Sequence, residues 1–184
     1  MKKSLFNIME LSGILFCMTV TAFLRSIYFL TGESTVGVLF GSVNTSIWEQ
    51  LKPIILCYIL FGVLELMCAK PYFRQFVVSK ALGLYLSVFI YIILSKVLPS
   101  SFSAPITLIS LAVGFIFSKF MTLSRKDISW LFSVACFMLL LIFVMYFSFS
   151  VFPPRMNLFL DSESGMYGII PDAVDRGATY LNFS

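Results

Sequence analysis

The chain has 184 residues, of which 59% are hydrophobic and only 12% charged, with 21 phenylalanines and no histidine. A soluble domain is about 45–50% apolar and about 25% charged, so a water-exposed globule is excluded and a lipid bilayer is the natural solvent. The net charge of +4 does not point to nucleic acid, because the Lys and Arg residues stand scattered between apolar runs, as topology signals do.

A bilayer core of roughly 30 Å needs about 20 mostly apolar residues per helix. Five segments meet this in chain order: 8–30, interrupted by Arg25; 46–68, with a polar first turn; 78–98; 104–123; and 128–152. The connections are short and no internal repeat is evident. The sequence therefore predicts an all-α integral membrane bundle of about five transmembrane helices over 1–152, followed by a tail over 153–184. The first segment also has features of a cleavable signal peptide, with a basic start and the small residues Val20-Thr21-Ala22. Glu10 and the apolar continuation through Ile27, Tyr28, Phe29 and Leu30 favour its retention.

Orientation follows from the placement of Lys and Arg. Lys2, Lys3, Lys70, Arg74, Lys80, Lys119, Arg125 and Lys126 fall on one side, and Arg25, Lys52, Lys96, Arg155 and Arg176 on the other. The richer side is cytoplasmic by this rule, which predicts the N-terminus inside and the C-terminus outside. The cysteines Cys17, Cys57, Cys68 and Cys136 lie in or at the ends of apolar runs and form no CxxC pair. Without histidine, a zinc site of about four close Cys or His ligands has no candidates, and the cysteines read as small buried hydrophobes. Neither a metal nor a cofactor is expected.

Polar residues concentrate at the start of the second span, in Gly41-Ser-Val-Asn-Thr-Ser-Ile-Trp-Glu-Gln-Leu-Lys-Pro53. Ser46-x-x-Glu49 matches a capping box, in which the Ser accepts from a first-turn amide and the Glu reaches back to the cap. Trp48 suits the aromatic belt of a membrane surface. Pro53 removes one helical hydrogen bond. Glu49 and Lys52, at i and i+3, share a face and can pair. Asn44 and Gln50 add amides that neither capping nor anchoring requires. The preceding 35–41 connection is too apolar for a free loop and is expected to tuck toward the bundle, which is allowed only where protein or a wet cavity satisfies its backbone.

Arg25 lies toward the outer end of span one, on the same side as Glu49, and an ionisable residue inside a span is a functional candidate by default. Its structural alternatives are snorkelling or an ion pair with Glu49. Glu65 and Glu10 are expected near the cytoplasmic boundary. In the tail, Pro153-Pro154 stops the fifth helix, and the apolar sets around Leu158 and Tyr167 predict a partly ordered flap over the outer mouth, with the last dozen residues loosely attached.

The stretches GSVNTSIWEQLK and FPPRMNLFLDSESGMYGI together resemble a family of small multi-pass bacterial membrane proteins of unknown function. The matching positions are Asn44, Ser46, Trp48, Glu49 and Lys52 in the first motif. In the second they are Pro153, Pro154, Leu158, Phe159, Asp161, Gly165, Tyr167, Gly168 and Ile169. Gln50, Arg155 and Arg25 stand where that family tends to carry histidine, so any chemistry depending on those histidines is not expected here. The resemblance implies that the polar mouth and the tail belong to one assembly.

The leading functional expectation is a non-enzymatic protein of the plasma membrane with an outward-facing polar pocket formed by Arg25, Asn44, Ser46, Trp48, Glu49, Gln50, Lys52 and Arg155. It would bind a lipid headgroup or small anion, helped by the helix dipole at the start of span two, or join other membrane proteins. The alternatives are an enzyme acting on a lipid-linked substrate with Glu49 as general base, and an oligomeric transporter or channel. A cationic neighbour and a helix N-terminus both favour an ionised Glu49 and disfavour the base.

Overall fold

A computed structural model describes residues 3–32, 34–124, 127–161 and 165–168. The chain forms α1 (Lys3–Leu30), α2 (Thr35–Phe40), α3 (Ile47–Ala69), α4 (Phe73–Val97), α5 (Ser103–Leu123) and α6 (Phe132–Val151), with short 3-10 turns at Ser100–Phe102 and Ser129–Leu131. All but α2 are long and apolar enough to cross a membrane. The five expected spans are therefore present, and the protein is a membrane-embedded helical bundle. Its boundaries differ mainly at the starts of α1 and α4, each of which begins five residues earlier than apolarity alone suggested, α4 directly after the turn at Pro71. Lys70 closes α3 in the left-handed region at φ 45°, and its N–H bonds to Leu66 O at 3.2 Å.

We call the end of the bundle where α3 begins the mouth end and the opposite end the far end. α3 is the most buried span, and α1 and α6 are the least. α1 turns one stripe inward, Phe6, Glu10, Gly13, Cys17, Thr21 and Tyr28, with half-buried Arg25 on the same stripe. These steps of three and four place them on one helical face. Its other faces carry Leu11, Leu15, Phe23 and Phe29, exposed as lipid-facing side chains are.

The tightest helix pair is α4 with α5, and its cause is a matched pair of small-residue rows. Ser79, Gly83 and Ser87 on α4 face Ser110, Gly114 and Ser118 on α5, and all six are buried. A Cβ added at Gly83 would lie 2.7 Å from Gly114 O, and one added at Gly114 would lie 2.8 Å from Gly83 O. Small residues let backbones approach where lipid supplies no hydrophobic drive between helices. Gly13 on α1 instead makes room for side chains, since a Cβ there would meet the rings of Phe61 at 2.5 Å and Phe115 at 2.7 Å.

The apolar 35–41 connection does tuck inward, as the short helix α2 packed between α1 and α6. Ser34 caps it, accepting from Gly37 N at 3.3 Å. Its last carbonyls have no helical partners. Lys52 Nζ donates to Val38 O at 2.8 Å, Tyr146 OH to Leu39 O at 2.9 Å, and Gly41 N to Gly37 O at 2.8 Å. Protein groups therefore supply what the bilayer cannot.

Two cysteine expectations need correction. Cys17 and Cys57 are buried, but Cys68 and Cys136 are exposed. In a bilayer an apolar side chain is equally at home facing lipid, so apolar surroundings in sequence do not fix burial.

Candidate functional site

The start of α3 is held by side chains on three sides. Ser46 is its N-cap and accepts from Glu49 N at 3.3 Å, as a capping box requires. The other half of the box is different. Glu49 Oε2 accepts from Val43 N at 2.9 Å, while Ser46 N donates to Asn44 Oδ1 at 2.9 Å. The carboxylate is drawn to Val43 because Lys52 Nζ sits 2.8 Å from the same oxygen. Lys52 is fully buried and Glu49 nearly so. This closed pair, with Lys52 also on Val38 O, ties α2, the connecting loop and α3 together.

Pro53 lies inside α3 and leaves Glu49 O without its i+4 amide. Ser42 Oγ fills the gap, donating to Glu49 O at 2.6 Å. Ser42 was not singled out in the sequence. Its signal was present, since a hydroxyl in the turn before a helix that carries an early proline is a ready surrogate donor.

The tail latches onto this loop. Asp161 is buried and accepts from Thr45 N at 2.9 Å and from the Thr45 hydroxyl. Asn44 Nδ2 donates to Gly168 O at 2.7 Å, and Trp48 N donates to Leu158 O at 3.1 Å. Phe159 packs with Trp48 and Phe149 at centroid distances of 5.4 and 5.3 Å. Leu160 pairs with Tyr167 in an isolated antiparallel bridge. Gly165 and Gly168 hold positive φ of 67° and 75°, which only glycine adopts freely. The mouth and the tail therefore form one unit. Residues 169–184, which include Ile169 and the expected loose end, lie outside the described residues.

Trp48 departs from its expected place. It is 4% exposed, enclosed by Phe149 and Phe159, because the tail covers the face that a membrane-belt residue would present. The helix N-terminus is also committed, since the amides of Trp48, Glu49 and Gln50 bond to Leu158 O, Ser46 Oγ and Ser46 O. These amides are not free to bind an anion.

Arg25 neither snorkels nor pairs with Glu49. Its Nη2 donates to Thr107 Oγ1 at 2.9 Å, to Gln50 O at 3.2 Å and to Tyr91 OH at 3.4 Å. Its Nε is buried with no hydrogen-bond partner, and among the described residues no carboxylate pairs with the guanidinium. Tyr91 OH in turn donates to Gln50 Oε1 at 3.0 Å, and Gln50 Nε2 to Thr45 O at 3.0 Å. Beside this network lies a cavity of about 330 Å³, lined by Thr45, Gln50, Tyr91, Ser95, Ser103 and Asn157 with several apolar side chains. Its size suits a small ligand.

Of the expected pocket residues, the structure brings Arg25, Asn44, Ser46, Trp48, Glu49, Gln50 and Lys52 to one end of the bundle. Only Gln50 lines the cavity directly, and Arg25 holds two of its lining groups. Asn44, Ser46, Trp48, Glu49 and Lys52 are spent on internal contacts. Arg155 is exposed on the tail. Thr45, Tyr91, Thr107 and Ser103 were missed by sequence reasoning. Tyr91 continues the small-residue row of α4 by one more four-residue step, and that was the available signal.

No curated protein and no solved structure matches the chain. A family profile does match, over residues 2–169, and so the chain belongs to the DUF6512 family, a family of unknown function.

Proposed function

We propose that this is a non-enzymatic membrane binding protein whose cavity beside Arg25 receives an anionic group, either a phosphate-bearing lipid headgroup or a small free anion. One observation carries the reading. Arg25 is a guanidinium set among neutral acceptors, with a buried unpartnered Nε and no described counter-ion, and its neighbours Gln50 and Tyr91 line the cavity. A desolvated cation without a carboxylate gains most from an anion brought to it. The general-base alternative is less favoured, since Glu49 does not line the cavity and its Oε2 is already engaged by Lys52 and Val43 N.

The mouth end faces away from the cytoplasm of a bacterial plasma membrane in this proposal. The basic residues support it more cleanly once the structure is considered. Lys52, Lys80 and Arg25 are held inside the bundle, so they are not topology signals. Among the described residues Lys70, Arg74 and Lys119 then stand at the far end against Lys96 and Arg155 at the mouth.

The test is native mass spectrometry of the full chain released from membranes, with Arg25→Gln alongside. An anionic phospholipid is expected to co-purify with the wild type. A charge-assisted hydrogen bond is worth about 1.5–3 kcal/mol, so its retention in Arg25→Gln falls about ten- to a hundredfold. Thermal unfolding with inorganic phosphate, against nanodiscs of phosphatidylglycerol, separates a free anion from a lipid. Equal retention by the variant and no phosphate effect refute the proposal, as does a co-purifying protein with no anionic ligand.

A further inference from the structure

The far end holds a second polar centre with different chemistry. Glu10 on α1, Glu65 on α3 and Lys80 on α4 meet about one to two helical turns inside the ends of their spans. Lys80 Nζ lies 3.0 Å from Glu10 Oε1 and 2.6 Å from Glu65 Oε2. All three are buried, Glu65 completely. Sequence position suggested boundary residues for both acids, but three helices close over them. The ammonium also faces the rings of Phe115, Phe76 and Tyr58, at 4.6, 5.5 and 5.6 Å to their centroids.

Charge counting decides what this centre needs. The groups facing it are Glu10 and Cys17 from α1, Glu65 and Tyr58 from α3, and Lys80 from α4. α5 brings Phe115 and Ser118, and α6 brings Leu139, none of them charged. Two carboxylates against one ammonium leave an excess negative charge in a medium that opposes it strongly. The negative faces of three rings favour the ammonium and add to that opposition. Glu10 Oε2 and both Glu65 oxygens are buried with no hydrogen-bond partner, and since Glu65 Oε2 is taken by the ion pair with Lys80, Glu10 Oε2 and Glu65 Oε1 are the two oxygens available to complete the centre. Two free oxygens ringed by aromatic carbons are too few for a dehydrated metal cation, which takes about six oxygens. One proton suffices, because two carboxyl groups sharing a site hold a proton between them.

We propose that Glu10 and Glu65 together form a proton-binding site that carries one exchangeable proton, with Lys80 as the fixed counter-charge. Binding converts one carboxylate and a proton from water into one carboxylic acid, leaving the centre neutral. The site joins α1, α3 and α4, so its proton occupancy is linked to how those helices pack. A mostly apolar cavity of about 130 Å³, lined by Lys80, Tyr58, Gly62, Leu66 and Phe76, adjoins it between α3 and α4. This inference is independent of the anion cavity at the mouth.

Infrared spectroscopy of the full chain in nanodiscs at neutral pH tests it, reading the C=O stretch of a buried carboxylic acid. The wild type is expected to show that band, and hydrogen–deuterium exchange shifts it. Glu10→Gln and Glu65→Gln each remove the surplus acid without changing shape, so both lose the band while remaining folded by circular dichroism. Lys80→Gln removes the counter-charge, and the band doubles. A wild type with no band overturns the proposal. So does a band that survives in both glutamine variants, or one that sodium chloride abolishes at constant pH, which would assign the site to a metal cation.

Discussion

Replacing Gly83 by Ala tests the packing that positions both polar centres. The new methyl would lie 2.7 Å from Gly114 O and 2.5 Å from Tyr58 OH. Comfortable carbon contacts are about 3.5–4.0 Å, so α4 and α5 must part by roughly 1 Å or the Tyr58 ring must move. Overpacking of this kind costs about 1–3 kcal/mol. Displacing Tyr58 also endangers its hydrogen bond to Gly114 O at 3.2 Å, worth about 1 kcal/mol. Alanine recovers about 1 kcal/mol of helix propensity, which leaves a net loss of about 1–3 kcal/mol. Gly62 provides the control, because a Cβ there meets nothing within 4 Å. Gly62→Ala keeps only the propensity gain, and is expected to be neutral or stabilising by up to about 1 kcal/mol. The same chemical change thus has opposite signs at two helical glycines. Reversible unfolding in mixed detergent micelles, followed by circular dichroism and by buried Trp48, measures both. If Gly83→Ala is as stable as Gly62→Ala, the close approach of α4 and α5 is not what holds the bundle.

Two further perturbations address the mouth. Ser42→Ala orphans Glu49 O beside Pro53 and is expected to cost about 1–3 kcal/mol; in a Pro53→Ala background the restored amide takes over, and the loss should fall below about 1 kcal/mol in a double-mutant cycle. Additive losses would show that Ser42 does not substitute for the proline's missing donor. Asp161→Ala removes the acceptor of the Thr45 amide and hydroxyl, about 1.5–3 kcal/mol of charge-assisted bonding. Limited proteolysis within 153–168 is then expected to quicken about ten- to a hundredfold, with a shift in Trp48 fluorescence. An unchanged cleavage rate would mean the tail is held by other contacts.

Much of the local architecture is legible in the sequence. Composition and segment length marked five spans, Ser46 marked the start of α3, and the spacing of Glu49 and Lys52 marked their pairing. The excess apolarity of 35–41 marked a connection that tucks inward. Each depends on residues within a turn or two of one another, or on the thickness of the bilayer. The rows Ser79-x3-Gly83-x3-Ser87 and Ser110-x3-Gly114-x3-Ser118 were equally present in the sequence and went unread.

The sequence alone determined the solvent, the number of candidate spans and the Ser46 cap at the start of α3. Only the tertiary structure decided which buried polar groups meet across different helices. It set Lys80 between Glu10 and Glu65, Arg25 among Thr107, Gln50 and Tyr91, and Trp48 under Phe159. The reason is physical: in water an apolar stripe shows which face of a helix turns inward, but lipid accepts apolar side chains on every face. The rotation of each span, and with it the partner of each polar group, was therefore settled by close packing between helices far apart in the chain.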